Sequence, residues 1–243
     1  MRIYANLYEC AKETQRNLSE MGIEVRIKTM QNIDVCNDED LNITKELTVE
    51  TYQIEDPYHD DSILDAYYLI YGDKGTLMME WAVQELGERL FGYDKNPGEA
   101  YKLRENEWKQ FLNQKGEFDY TYHERIKAYE QIPRLIEYLI NDPGNRRSIL
   151  SIWDASKDCE VINQKVRVPC SIDYHFMIRD NQLNMIYRMR SSDFYTHWLN
   201  DMFLAMKLNE YIAKKIEIKP GKLIVYIDSL HAYKRELKIR GIF

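Results

Sequence analysis

The chain has 243 residues, enough for one large domain or two small ones, and at 44% hydrophobic and 30% charged it can bury a core under a solvated surface. A net charge of −7 with no long basic run argues against a nucleic-acid scaffold. Ten glycines, with neither GxGxxG nor GxxxxGK(S/T), argue against the Gly-rich dinucleotide and P-loop architectures, although a few placed arginines could still hold a small anion.

Residues 2–21 carry apolar side chains at Ile3, Leu7, Cys10, Ala11, Leu18 and Met21 and predict an amphipathic helix stopped by Gly22. Alternation predicts a strand over 23–30, a polar loop follows over 33–45, and a second strand covers 46–55 before Asp56-Pro57. A helix is expected over 62–71, ended by Gly72. Residues 75–91 form another, with Leu77, Met78, Trp81, Ala82, Leu86 and Leu90 on one face. Glu85 falls inside that face and Glu80 near the opposite side. A carboxylate facing a core is costly unless paired, so Glu85 is either a functional acid or the partner of Arg89 one turn on. After a loop over 92–98 come a helix over 99–112, a turn at Lys115-Gly116 and a tyrosine-bearing strand over 118–126. A helix over 131–140 stops at Asn141-Asp142-Pro143-Gly144.

Arg146-Arg147 then open a buried strand over 148–153. The strand over 166–178 holds Cys170, and a hairpin-like turn at Asn181-Gln182 leads into 183–189. That strand ends in Arg190-Ser191-Ser192-Asp193. A helix covers 201–215, and the last strand, 222–227, leads to Ser229-Leu230-His231-Ala232-Tyr233. No internal repeat or linker interrupts the pattern. The expectation is one domain over 1–243, of α/β (α+β) class, with a mixed sheet.

The four cysteines, Cys10, Cys36, Cys159 and Cys170, form no CxxC pair and show no metal-like spacing with histidine, so neither a disulfide framework nor a metal is expected. Each is by default a small buried hydrophobe; only Cys170 has neighbours that argue otherwise. The apolar runs are too short to span a bilayer and no basic segment precedes one at the N-terminus, which reads as a cytoplasmic protein.

The order Asp142-Pro143-Gly144-Asn145-Arg146-Arg147, Pro169-Cys170, Arg190-Ser191-Ser192-Asp193 and Ser229-Leu230-His231-Ala232-Tyr233 resembles the thymidylate synthase family. It looks most like the branch that hydroxymethylates cytidylate at carbon-5. The likeness is strong over 142–235 and weak before 75. It implies a thymidylate synthase-like sheet flanked by helices, a homodimer formed through that sheet with shared active sites, and 5,10-methylenetetrahydrofolate as cofactor. Cys170 would add to carbon-6 of the pyrimidine, as a thiolate favoured by nearby Arg167 and Arg190. Arg190 and Ser191 would hold the nucleotide phosphate, and Arg146 and Arg147 the phosphate in the neighbouring subunit. His231 and Tyr233 would bond the sugar hydroxyl. Tyr122, with Tyr120 as its nearby rival, would assist removal of the carbon-5 proton. Trp108 would stack on the folate, with Phe111 where a second tryptophan is common. Glu85, rather than Glu80, would order water and shuttle protons, and Asp193 would contact the pterin.

Asp201 stands where thymidylate synthases have an asparagine that reads uracil. Cytosine reverses that edge: its amino group donates and its ring nitrogen accepts. A protonated carboxyl can answer both, so Asp201 resembles the cytidylate-specific members. Asn200 is one residue earlier and would restore a uracil reader if the register slipped; otherwise Asp201 is simply a helix N-terminal acid. Departures from the family are also visible. His197 and Leu199 replace its glycine and proline, and the N-terminal phosphate loop is missing, with Arg26 and Lys28 as weak stand-ins. Methylating members also carry a long C-terminal closing segment, whereas ten residues follow Tyr233 here, which favours hydration to hydroxymethyl over reduction to methyl. The same motifs would serve a dUMP-methylating thymidylate synthase, a dUMP hydroxymethylase, or a nucleotide-binding homologue without catalysis.

Overall fold

The structure is a computed structural model and describes residues 1–31, 33–92, 95–159 and 167–242. Residue 166 of the expected Cys170 strand and residues 93–94 of the expected 92–98 loop lie outside the described residues. In chain order the first half holds β1 (Arg2–Tyr4), α1 (Leu7–Met21), β2 (Ile23–Arg26), β3 (Thr29–Met30), β4 (Ile33–Asp34), α2 (Glu39–Asn42), β5 (Ile43–Ile54), α3 (Asp60–Tyr71) and α4 (Gly75–Phe91). Then come α5 (Ala100–Leu103), α6 (Glu105–Trp108), α7 (Tyr122–Lys127), α8 (Gln131–Asn141), β6 (Ile149–Ser151), α9 (Ala155–Asp158), β7 (Ser171–Arg179), β8 (Gln182–Met189), β9 (Ser192–Asp193), α10 (Leu199–Lys215), β10 (Lys219–Tyr233) and α11 (Lys234–Ile239).

One sheet runs in the order β1-β5-β10-β8-β7-β6, with β2 beside β5 and β9 beside β10. It is mixed, as the alternation of strands and helices suggests: β10 is antiparallel to β5 but parallel to β8 and β9. The period of two divides β10, burying Leu223, Val225 and Ile227 while Ile224 and Tyr226 face outward. Helix α10 lies across β8 and β10. Just before it, Trp198 is fully buried and donates Nε1 to Tyr52 Oη at 2.6 Å, and Tyr52 Oη donates to Met202 Sδ at 3.5 Å. This joins the helix to the C-terminal end of β5. Trp198→Ala is expected to destabilise the fold by ~3–5 kcal/mol, since it removes a large buried ring and leaves a cavity. Urea denaturation checks this.

Several expected boundaries move. Residues 2–4 form a strand, not a helix start: β1 pairs with 52–54 of β5, and the Asn6 side chain caps α1 by accepting from Glu9 N at 3.0 Å. The expected 33–45 loop contains β4 and α2, and β5 already begins at Ile43. The expected 99–112 helix is broken at Arg104, whose φ of −137° and ψ of 32° divide α5 from α6, and Lys109–Phe111 tightens to a 3₁₀ turn. The tyrosine-rich 118–126 segment is not a strand. Thr121 accepts from Glu124 N at 3.1 Å and starts α7 at Tyr122; this Thr-x-x-Glu cap outweighs the alternation. The strand after Cys170 begins at Ser171, so Cys170 sits just outside it. The last strand runs on to Tyr233, and α11 follows where no element was expected.

Candidate active site

A cavity of about 1000 Å³ opens at the carboxyl-terminal ends of β8 and β10, at the upper end of what one small-molecule ligand usually fills. Cys170, Arg190, Ser191, Asp193, Asp201, His231 and Tyr233 line it, together with Glu85, Trp108, Phe111 and Tyr122. Pairing of β7 with β8 explains how the first group meets. Ser171 lies opposite Met189, and Arg190 N donates to Cys170 O at 2.9 Å, so the residues just beyond both strands face each other. Ser191 Oγ then donates to Cys170 Sγ at 3.7 Å. The Arg190 guanidinium donates Nε to Pro169 O at 2.8 Å and Nη2 to Val168 O at 3.1 Å, and Nη1 reaches Ser191 Oγ at 3.3 Å. It thereby fixes the loop that presents the thiol while lining the cavity itself.

His231 and Tyr233 are two residues apart on β10, so both side chains take the cavity face. Their rings meet edge-on, with centroids 5.5 Å apart. Burial lowers the His231 pKa, which keeps the imidazole neutral. Pairing of β9 with β10 sets His231 opposite Asp193. Asp193 also has a structural duty, accepting from Tyr195 N at 3.2 Å and Thr196 N at 3.3 Å to start the next helical turn. Burial raises its pKa.

On α4, Glu85 accepts from Arg89 Nε at 2.8 Å, so the pairing expected along the helix is present. Glu85 nevertheless lines the cavity, while Glu80 is exposed outside it. The same Arg89 guanidinium lies 3.7 Å above the Tyr122 ring. Tyr122 Oη meets Ser171 Oγ at 3.0 Å, and Ser171 Oγ meets Tyr187 Oη at 2.6 Å. Burial holds both phenols well above the ordinary tyrosine pKa, so this is a chain of protonated hydroxyls beginning one residue from Cys170. Tyr120 also lines the cavity, 6.0 Å from Tyr122 between ring centroids.

The register at 200–201 is resolved by which side chain faces the cavity. Asn200 is fully buried away from it, accepting from Tyr67 Oη and donating to Tyr71 Oη, both at 3.0 Å. Asp201 lines the cavity, buried, with Ser192 Oγ donating to its Oδ2 at 3.5 Å. Burial pushes its pKa up to about 7, against the opposing pull of Arg89. The sign of the resulting stability effect follows. Folded Asp201 keeps its proton to about 7, while unfolded it ionises near 3.8, so the carboxyl costs stability as pH rises between those values. Asp201→Asn is expected to stabilise the protein above pH 7, by up to ~4 kcal/mol, and to leave it unchanged near pH 4. Urea titrations at the two pH values check it.

Arg146 and Arg147 do not reach this cavity. Both are exposed, Arg147 lying over the Tyr138 ring at 5.8 Å. Arg26 and Lys28 are exposed outside it as well, although Ile27, Thr29 and Gln31 line its rim. Arg89, Arg104, Arg235 and the Ser171–Tyr187 pair belong to the lining or its support and carried no signal as site residues in the sequence. Arg104 stands one helical turn before Trp108, the spacing that would have flagged it.

The architecture, a mixed sheet flanked by helices with a cavity at its strand ends, is that of an α+β ligand-binding domain. The model of the family described as thymidylate synthase matches residues 76–240, and the chain belongs to that family. A protein of Methanosarcina barkeri is 33% identical over 124 residues, covering 49% of this chain and 55% of its own. The thymidylate synthase of Lactococcus lactis subsp. cremoris is 27% identical over 165 residues, covering 65% of this chain and 55% of its own. The chain thus spans about half the length of these relatives. The solved thermostable thymidylate synthase A from Bacillus subtilis has the same fold, with a TM-score of 0.72 over 97% of this chain and 83% of that one at 16% identity.

Proposed function

We propose that the protein is a folate-dependent one-carbon transferase that hydroxymethylates carbon-5 of a cytidine monophosphate, CMP or dCMP. The observation that carries this reading is that Asp201, and not Asn200, faces the cavity that holds Cys170. A carboxyl that titrates near 7 offers cytosine one acceptor for the amino group and, when protonated, one donor for the ring nitrogen. Uracil presents the opposite pattern at that edge.

In this reading Cys170 Sγ attacks carbon-6, and the ring electrons move toward carbon-5 and the ring nitrogen. Asp201 stabilises that shift from its hydrogen bonds to the base edge. Ser191 orients the thiol and, with Arg190, contributes to phosphate binding, while His231 and Tyr233 bond the sugar. Tyr122, held as a neutral phenol in the Ser171–Tyr187 chain, orients the water that takes the carbon-5 proton and carries it to solvent. Glu85, fixed by Arg89, orders the water that becomes the hydroxyl oxygen. Methylenetetrahydrofolate supplies the one-carbon unit. The wall around Trp108 and Phe111 suits a flat aromatic ligand, and among the described residues the buried Trp108 Nε1 has no hydrogen-bond partner, a donor left for such a ligand. Asp193 would meet its pterin. Arg146 and Arg147, exposed and outside this cavity, would complete the phosphate site of a second copy in a homodimer formed through the outward face of the sheet.

The test is to incubate the protein with methylenetetrahydrofolate and, separately, CMP, dCMP and dUMP, and to weigh the nucleotide product. A hydroxymethylated cytidylate is expected. A methylated product would sink the hydration step, turnover of dUMP alone would sink the role of Asp201, and no product with any nucleotide would leave a nucleotide-binding homologue.

A further inference from the structure

Beside His231 the cavity wall carries an acid. Glu46 lies on β5 and lines the cavity together with Thr44, Ser229, His231 and Tyr233. The antiparallel pairing of β5 with β10 sets Glu46 directly opposite His231, and Thr44 opposite Tyr233. Directly opposite residues project from one face of a sheet with Cβ atoms about 4.5–5.5 Å apart, so the carboxylate and the imidazole stand side by side. The charge of Glu46 is felt at His231, where it works against the burial that keeps the ring neutral. Arg190 acts on the same ring with the opposite sign.

A half-buried carboxylate in a sheet is stabilised by an opposite charge across the strand. The positions that flank Glu46 are instead Ile23 on β2 and the neutral His231 on β10. Its neighbours along the same face of β5 are Thr44 and Thr48, and the diagonal ones on β10 are Ser229 and Tyr233. None of these six is a lysine or an arginine. Thr44 Oγ1 donates to Val25 O at 3.3 Å, so that hydroxyl is committed to the sheet. The sheet therefore holds Glu46 at the cavity, next to His231, through residues that carry no positive charge.

We propose that Glu46 reads the sugar: its carboxylate accepts a hydrogen bond from the 2′-hydroxyl of a ribose, which makes CMP and not dCMP the substrate. This rests on the nucleotide reading above, in which His231 and Tyr233 hold the 3′-hydroxyl. On a ribose the 2′-hydroxyl is cis to that group on the adjacent carbon, so the residue beside His231 is the one that meets it. A carboxylate only accepts, a sugar hydroxyl has a proton to give, and the bond between them is charge-assisted. An acid that takes a ribose 2′-hydroxyl at the strand ends of an α/β sheet is also how dinucleotide sites read their sugar. A deoxyribose puts a C–H in the same place and leaves the carboxylate desolvated without a donor. A site built to bond a hydroxyl rejects the analogue that lacks it. Glu46 is thereby a specificity residue for the sugar and takes no part in bond making.

Calorimetric titration of the protein with CMP, dCMP, UMP and dUMP tests this without turnover. CMP is expected to bind about 10- to 100-fold more tightly than dCMP, and UMP to exceed dUMP by the same factor, since Glu46 meets the sugar alone. Glu46→Ala is expected to erase that factor by weakening the ribonucleotides and not the deoxyribonucleotides. Glu46→Gln, which keeps an acceptor without the charge, is expected to retain part of it. Equal binding of ribo- and deoxyribonucleotides, or a Glu46→Ala protein with unchanged ribose preference, would overturn the proposal. A Glu46→Ala protein weakened equally toward all four nucleotides would also overturn it, and would make Glu46 a support for the His231 ring. Failure of the base assignment looks different: a ribose preference carried by the uridylates, with weak cytidylate binding, would remove Asp201 as the cytosine reader and leave Glu46 in its role. No binding of any of the four would take away the nucleotide site and this proposal with it.

Discussion

Replacing Cys170 with alanine is expected to lower turnover of cytidylate by ~10⁴-fold or more, the scale of losing a nucleophile that works as one unit with its neighbours. It is also expected to abolish any covalent nucleotide adduct seen in the intact-protein mass after acid quench. The argument is geometric. Cys170 sits just outside β7 with its backbone held by Arg190 N and its thiol by Ser191 Oγ, so it is presented to the cavity from a fixed loop at the edge of the core. It is half-buried, so removing its sulfur takes little from the hydrophobic core and the variant should fold and bind nucleotide. Nucleotide binding with normal affinity but no turnover separates the loss of chemistry from loss of the site. Turnover within tenfold of the unaltered protein would remove Cys170 from the mechanism.

The second large effect concerns the base. Asp201→Asn is expected to reverse the preference from cytidylate to uridylate by ~10²–10⁴-fold in kcat/KM, since two hydrogen bonds involving an ionisable group, each worth ~1.5–3 kcal/mol, change from matched to mismatched. The unaltered enzyme carries a pH signature that the variant lacks. With its pKa pushed up to about 7, Asp201 would, in the proposed function, be the donor that the cytosine ring nitrogen needs only below that value. The kcat/KM for cytidylate should therefore fall as pH rises through about 7, and the Asp201→Asn enzyme should show no such limb with uridylate. A variant still selective for cytidylate would mean that another group reads the base edge.

How far the sequence revealed this site depends on where each residue sits. Cys170, Arg190, Ser191 and Asp193 were marked by the family resemblance, and the hairpin pairing of the two strands they flank is what brings them together in the fold. His231 and Tyr233 were likewise marked by the resemblance, and the strand period puts both on one face. Asp201 was legible only by counting from Arg190. What turns it inward in the fold is a π-helical turn at Phe194–Trp198, which shifts the phase of the following helix in a way no period of 3.6 anticipates. The alternating tyrosines predict a strand at Tyr122, whereas in the fold the Thr121 cap starts a helix there. The buried arginines Arg89 and Arg104 were hardest to see as part of the site. Charged residues on a helix read as solvated, and only packing shows that Arg89 bridges Glu85 and Tyr122 and that Arg104 lies among tryptophans. Arg146 and Arg147 are a different case: their expected role requires a second copy of the chain.

In the proposed function, loss of the carbon-5 hydrogen would require both attack by Cys170 and reading of the base by Asp201. Cytidylate tritiated at carbon-5, mixed with the protein and methylenetetrahydrofolate, is the direct measurement. Release of tritium to water is expected from cytidylate well above that from uridylate labelled in the same position, and it should vanish in Cys170→Ala. Release from uridylate alone, or none from either nucleotide, would contradict the assignment.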